Sequence, residues 1–268
     1  MNNKGFIQLQ LGEELHYKKV GVEYWESPEK PVILFLHEGL GSIPQWKNYP
    51  ETLCSQLQLP GLIYERIGYG KSTMRNRNND FGYMHKEALE YLPQVVSQID
   101  KNREIILYGH SDGGSIALIH AAKFPERILA VVSEAAHVFV EEITLVGILE
   151  AVFFYEQPDR KFHEKLRRYH GEHTDTVFYN WADTWLSKMF EYWNIEAYLP
   201  AIQAPTLIIQ GADDQYGSLK QVQAIEEGIP APTVTFIPEN CGHHPFLQQQ
   251  ESVMKRAINF LECNVGLG

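Results

Sequence analysis

Glu104-Ile105-Ile106-Leu107-Tyr108-Gly109-His110-Ser111-Asp112-Gly113-Gly114-Ser115 is the stretch that decides the fold. It opens on a short β-prone apolar run, and the residues from Ser115 to Lys123 have helical spacing. The glycines and the serine between them therefore lie on a sharp strand-to-helix turn. Gly109-His110-Ser111-Asp112-Gly113 fits the pattern G-x-S-x-G. A serine on such a turn is held in a strained backbone conformation and needs small neighbours, which Gly109 and Gly113 supply while Gly114 adds room. The turn holds the Ser111 hydroxyl exposed above a sheet. It also aims the next amide, that of Asp112, at the point where an oxyanion would form near a helix N-terminus. Ser111 is the expected nucleophile.

On either side of this turn the chain alternates between two patterns. Val32 to Leu36, Leu62 to Tyr64, Glu104 to Tyr108, Ile128 to Val132, Leu207 to Gln210 and Val234 to Ile237 are short apolar runs without alternation, as expected of strands buried on both faces of a parallel sheet. Trp46 to Leu57, Met84 to Ile99, Ser115 to Lys123, Leu219 to Glu227 and Ser252 to Leu261 have helical spacing. Phe6 to Tyr24 alternates around Gly12-Glu13 and reads as a hairpin at an antiparallel edge. The fold class is therefore α/β, one domain with a mostly parallel sheet flanked by helices. The alternation stops at about His137 and resumes near Pro200, so residues 137–200 are read as a helical cap inserted into a core made of 1–136 and 201–268. This insertion is dense in aromatic residues, most of which should pack the cap itself while a few line a substrate pocket.

A net charge of −11 argues against nucleic acid as a partner, since phosphate recognition needs clustered cations and only Arg75 and Arg77, split by Asn76, come close. No run of about 18 apolar residues occurs, and the N-terminal residues lack a signal peptide's apolar segment. Cys54, Cys241 and Cys263 form no disulfide framework. A cytoplasmic protein that acts on a small molecule is expected, with no membrane partner and no cofactor.

A serine hydroxyl needs a base, and the base needs an orienting acid. With the serine on a turn of this kind, acid and then histidine follow it along the chain. His243, in Gly242-His243-His244-Pro245 after the last strand, is preferred to His244 because Gly242 allows a tight approach. Gly211-Ala212-Asp213-Asp214 follows the strand Leu207 to Gln210 and offers Asp214 as the acid, with Asp213 as the alternative. The first buried strand ends in His37-Glu38-Gly39-Leu40-Gly41-Ser42, where the Gly39 amide, or failing that Leu40, would be the second oxyanion donor beside Asp112. Glu38, His110, Glu134, Trp185 and Tyr216 are candidates for the pocket. A cleft-facing Glu38 or Glu134 would favour a substrate amine. His163, His170 and His173 lack the tight spacing of metal ligands, so no metal site is expected. Cys241 has no turn of its own and reads as a buried spacer.

Taken together these residues resemble the α/β-hydrolase superfamily over nearly the whole chain. The likeness rests on Gly109 to Gly113, the turn beginning at His37, Gly211 to Asp214, Gly242-His243, and Arg66-Ile67-Gly68-Tyr69-Gly70-Lys71-Ser72, which looks like the family's R-G-x-G-x-S segment. Family members commonly carry H-G-x-x-G-S where this chain has His37-Glu38-Gly39-Leu40-Gly41-Ser42. The departure is similar to a subgroup of poorly characterised bacterial hydrolases with an H-E-G-L-G-S turn. The resemblance implies an eight-stranded sheet, a Ser-His-Asp triad and acyl transfer to water. It implies an ester or thioester as substrate, with aminopeptidase and carbon–carbon bond hydrolase as alternatives and a non-catalytic receptor on the same scaffold as the alternative of another kind.

Overall fold

The computed structural model describes residues 3–74 and 80–266, so Arg75 and Arg77 lie outside the described residues. Eight strands among the described residues form one sheet: β1 (Lys4–Gln8), β2 (Glu14–Val20), β3 (Val32–Leu36), β4 (Gly61–Tyr64), β5 (Ile105–His110), β6 (Ile128–Glu134), β7 (Thr206–Ile209) and β8 (Thr233–Phe236). Their spatial order is β1-β2-β4-β3-β5-β6-β7-β8. The β1–β2 and β2–β4 pairs are antiparallel and the others parallel. The helices are α1 (Tyr49–Leu57), α2 (Tyr83–Lys86) leading through a π-helical turn into α3 (Leu92–Ser97), α4 (Asp112–Lys123), α5 (Glu142–Tyr155), α6 (Lys161–His170), α7 (Thr174–Trp185), α8 (Leu219–Gly228), α9 (Pro245–Gln248) and α10 (Gln250–Val265).

The absence of alternation in the central strands has a direct cause. Ile33, Phe35, Ile106, Tyr108 and Val132 pack with Leu53 of α1 and Phe260 of α10 on one face. Leu34, Leu36, Leu107 and Val131 pack with Val95 of α3, Leu118 of α4 and Val222 of α8 on the other. Both faces are covered, so both side-chain sets are apolar. Each such side chain contributes about 1.5–3 kcal/mol by leaving water.

Three expectations change at their edges. β5 and β6 run on to His110 and Glu134, because Gly109 pairs with Ser133 and His110 with Glu134. β8 is an outer strand, half-buried rather than covered on both faces, and Ile237 lies beyond its end with 37% of its surface exposed. Trp46 closes a 3-10 turn, and Lys47 at φ 55° interrupts the helix, so α1 begins at Tyr49.

Between β6 and β7 the chain forms no strand of the sheet; α5, α6 and α7 pack on one another instead. Tyr155 stacks on Phe178 with ring centroids 3.6 Å apart, and Phe162 meets Phe178 edge-on. Phe190 stacks on Trp193 at 5.5 Å. Much of the aromatic content of the insertion is spent on this packing, while Phe153, Phe154 and Tyr192 are exposed. No helix among the described residues is long and apolar enough to cross a membrane.

Candidate active site

Strands β3, β5, β6 and β7 are neighbours running in one direction, so the loops at their C-terminal ends gather on one edge, where open α/β sheets bind ligands. Ser111 joins β5 to α4 with φ 55° and ψ −121°, a left-handed conformation that L-residues rarely adopt. The crowding that enforces it is visible in its neighbours: a Cβ on Gly109 would stand 2.1 Å from the Gly113 carbonyl oxygen, and one on Gly113 2.0 Å from that of Leu36. The Ser111 amide donates to the Glu134 carbonyl at 2.8 Å, and its carbonyl accepts from Gly114 and Ser115 at 2.8 and 3.1 Å.

His243 Nε2 lies 2.9 Å from Ser111 Oγ, and its Nδ1 lies 2.9 and 2.8 Å from Asp214 Oδ1 and Oδ2. Asp214 also accepts from the Tyr216 amide at 2.8 Å and from Gln210 Nε2 at 2.7 Å. Burial pushes the Asp214 carboxyl up, but the neighbouring His243 and these hydrogen bonds outweigh it and hold it down at about 2. An ionised carboxylate only accepts, so the hydrogen of His243 sits on Nδ1 and its Nε2 is free to accept the Ser111 hydroxyl hydrogen. Asp213 is exposed and points elsewhere, although its amide ties the acid loop to the histidine loop through the Cys241 carbonyl at 2.8 Å. His244 meets Glu38 Oε2 at 2.9 Å.

The two expected oxyanion donors are braced by one cation. The Glu38 carbonyl oxygen accepts from His37 Nδ1 at 2.8 Å, Arg66 Nη2 at 2.7 Å and the Gly41 amide at 3.1 Å. In a trans peptide the N–H points opposite to the C=O, so the Gly39 amide is directed away from Arg66. The buried Arg66 guanidinium also meets Asp112 Oδ2 at 3.4 Å, and Tyr83 donates to the same oxygen at 2.7 Å. Asp112 is the first residue of α4, and amides in a helix's first turn have no intrahelical acceptor. A Cβ on Gly39 would be 3.4 Å from Asp112 Oδ1 and 2.5 Å from Trp181 Cδ1, which shows how closely these loops and the inserted helix α7 approach.

A cavity of about 210 Å³ opens onto Ser111 and His243. Gly39, Leu40, Asp112 and His137 border it from the sheet side, and Ile148, Phe162, Leu166, Trp181 and Trp185 come from the insertion. Three pocket candidates, Glu38, Trp185 and Tyr216, line it. The other two do not. Glu134 is buried beneath, accepting from the Phe246 amide at 2.7 Å and the Tyr108 hydroxyl at 2.9 Å, and burial pushes its carboxyl up to about 7. His110 points its Nε2 at the His243 carbonyl, 2.7 Å away.

His137 and Tyr83 are among the side chains at the site that the sequence did not single out. His137 borders the cavity with its Nε2 donating to the Tyr216 carbonyl at 3.0 Å. Tyr83 joins Asp112 to the insertion by accepting from Trp185 Nε1 at 3.0 Å. Neither lies in a motif; only the packing of distant segments brings them in. His170 is a similar link, with Nε2 donating to the Leu40 carbonyl at 3.0 Å and Nδ1 accepting from the Gly70 amide at 3.2 Å.

The histidines of the insertion disperse: His170 makes those bonds, and His163 faces Glu164 and Asp175. The metal-like constellation among the described residues is a different one, Glu38, His110 and His244, whose nearest ligand atoms lie within 4.8 Å of one another. Cys241 is buried, and burial pushes its thiol up to about 11, so it carries no thiolate at neutral pH.

Comparison with known proteins agrees with this architecture. The human serine hydrolase BPHL is 24% identical over 262 residues, covering 94% of this chain and 84% of its own length. A proline iminopeptidase of Saccharolobus solfataricus is 25% identical over 243 residues, 75% of each chain. Among solved structures, a bacterial membrane phospholipase A superposes with a TM-score of 0.78 at 23% identity, covering 98% of this chain and 86% of that one. The pattern of the alpha/beta hydrolase fold family matches residues 31–174, more than half of the sequence, and the chain belongs to that family.

Proposed function

We propose that the chain is a serine hydrolase that cleaves small or medium, partly apolar carboxylic esters or thioesters through an acyl-enzyme. The observation that carries this reading is the continuous path from Ser111 Oγ through His243 to Asp214, with 2.9 Å at the serine and 2.8 Å at the acid. His243 Nε2 takes the Ser111 proton as Oγ attacks the carbonyl carbon, while Asp214 stabilises the imidazolium that results. The Gly39 and Asp112 amides hold the tetrahedral oxyanion. Its collapse expels the alcohol or thiol, which leaves with the proton from His243. Water, deprotonated by His243, then attacks the acyl group, and collapse of the second intermediate frees the acid and returns the proton to Ser111.

Helices α5 to α7 act as a cap in this reading, their Ile148, Leu166, Trp181 and Trp185 side chains forming the apolar wall that faces the acyl or alcohol group. A volume of 210 Å³ is below the roughly 300 Å³ at which pockets for drug-sized ligands begin, which favours a small group. A substrate amine is the second reading, supported by the Glu38 carboxylate in the cavity wall. It is weaker because His244 already engages that carboxylate and Glu134 lies outside the cavity.

The test is labelling with a fluorophosphonate followed by mass spectrometry. Wild type should gain one adduct at Ser111 and Ser111→Ala none; a wild type without the adduct would sink the proposal. Relative turnover of p-nitrophenyl esters, thioesters and aminoacyl arylamides then ranks the two readings.

A further inference from the structure

Three donor atoms from three separate segments meet beside the catalytic serine. Glu38 Oε2 is 2.9 Å from His244 Nε2 and 3.6 Å from His110 Nδ1. Glu38 stands on the loop after β3, His110 closes β5, and His244 precedes α9, so only the tertiary fold makes the group. We infer that Glu38, His110 and His244 bind a divalent transition-metal ion, zinc by preference, in the wall of the cavity.

The tautomer of His110 is the first argument. Its Nε2 lies 2.7 Å from the His243 carbonyl oxygen, and a carbonyl can only accept, so Nε2 carries the hydrogen. Nδ1 is then a bare lone pair on a buried ring, facing a carboxylate oxygen that is also an acceptor. Two acceptors aimed at each other invite a cation between them. An N–H held by a main-chain carbonyl is, moreover, the arrangement that fixes a metal-ligating histidine in its tautomer and orientation.

Spacing and donor type give the second argument. Ligands at about 2.0–2.1 Å from a tetrahedral zinc stand roughly 3.3–3.5 Å from each other. The 2.9 and 3.6 Å separations bracket that value, and the third pair of donor atoms lies within 4.8 Å, to be closed by side-chain rotation. Two imidazoles and one carboxylate suit zinc and its neighbours, whereas calcium and magnesium prefer oxygen donors alone. Gln45 Nε2, 3.4 Å from Glu38 Oε1, helps orient the carboxylate. Glu38 and His244 both border the cavity, which leaves the remaining coordination positions to water or a substrate oxygen. Binding replaces the Glu38–His244 contact by bonds from the ion to the three donors.

Equilibrium dialysis of the metal-free protein against zinc chloride tests the site, and Cu²⁺ electron paramagnetic resonance reads the ligands. Wild type should take up one zinc per chain and show copper hyperfine coupling to two imidazole nitrogens. Glu38→Gln and His244→Asn should each bind at least tenfold more weakly, while His163→Asn binds as wild type does. A wild type that binds no zinc overturns the inference. So do Glu38→Gln and His244→Asn proteins that bind with unchanged affinity, which would assign the ion to adventitious donors such as the exposed Cys263. Copper spectra without nitrogen coupling overturn it from wild type alone, whether or not the variants fold.

Discussion

The Arg66 guanidinium faces the Asp112 carboxylate at 3.4 Å in the protein interior while donating to the Glu38 carbonyl at 2.7 Å, so one buried cation touches the loops carrying both proposed oxyanion amides. Removing one partner of a buried pair costs about 3–5 kcal/mol, because the other charge is left uncompensated. Arg66→Met should therefore lose stability of that order in urea unfolding. Arg66→Met/Asp112→Asn should regain part of the stability, yet keep a kcat reduced by about 10²-fold, as expected when an oxyanion donor is misplaced. Full recovery of kcat in the double variant would show that Arg66 does not position the amides.

Asp214→Asn should leave the fold intact and lower kcat by about 10³–10⁴-fold, since an amide in place of the carboxylate no longer dictates which nitrogen of His243 carries the hydrogen. Steady-state kinetics with a p-nitrophenyl ester provides the measurement. KM should change little, because Asp214 does not border the cavity.

Glu134 predicts a pH dependence of opposite sign to that of most carboxylates. Burial raises its folded pKa to about 7, above the value near 4.3 expected when unfolded. The folded state thus binds the proton more tightly, and the associated stability is full below about pH 4.3 and is lost as pH rises through about 7. The loss amounts to something on the order of 3 kcal/mol. Glu134→Gln removes this term. The difference in unfolding free energy between wild type and variant should move against wild type between pH 4.5 and 7.5; a flat difference would refute it.

His170 ties helix α6 to the loops at Leu40 and Gly70. Burial lowers its pKa, so the unfolded chain binds the proton more readily, and the stability this residue contributes falls as pH drops below about 6.5. His170→Ala should abolish that part of the acid sensitivity. It should also raise KM several-fold by loosening the helix over the cavity, read from initial rates at two pH values.

How much of this was legible beforehand follows from the range of the interactions. The strand, Gly109 to Gly113 and the helix after it form a local unit, and the strain at Ser111 comes from neighbours within a few residues, so a short window carries the signal. The central strands were equally plain, because burial on both faces leaves only apolar side chains. The choice of His243 beside Ser111 and of Asp214 beside His243 followed from loop order. By contrast, two of the five pocket candidates do not line the cavity. Glu134 and His110 sit at the right strand ends, yet whether an end residue turns toward the cavity or beneath it depends on acceptors and donors more than a hundred positions away, at Phe246 and His243.

The amino-acid sequence alone therefore determined the sheet, the turn at Ser111 and the family, since each rests on local pattern and on the burial that pattern implies. Only the tertiary structure decided that Arg66 spans the loops at Glu38 and Asp112, that Tyr83 and His137 reach the site, and that Glu38, His110 and His244 converge. The physical reason is that hydrogen bonds and ion pairs between distant segments depend on side-chain direction in three dimensions, and periodicity along the chain carries no record of it.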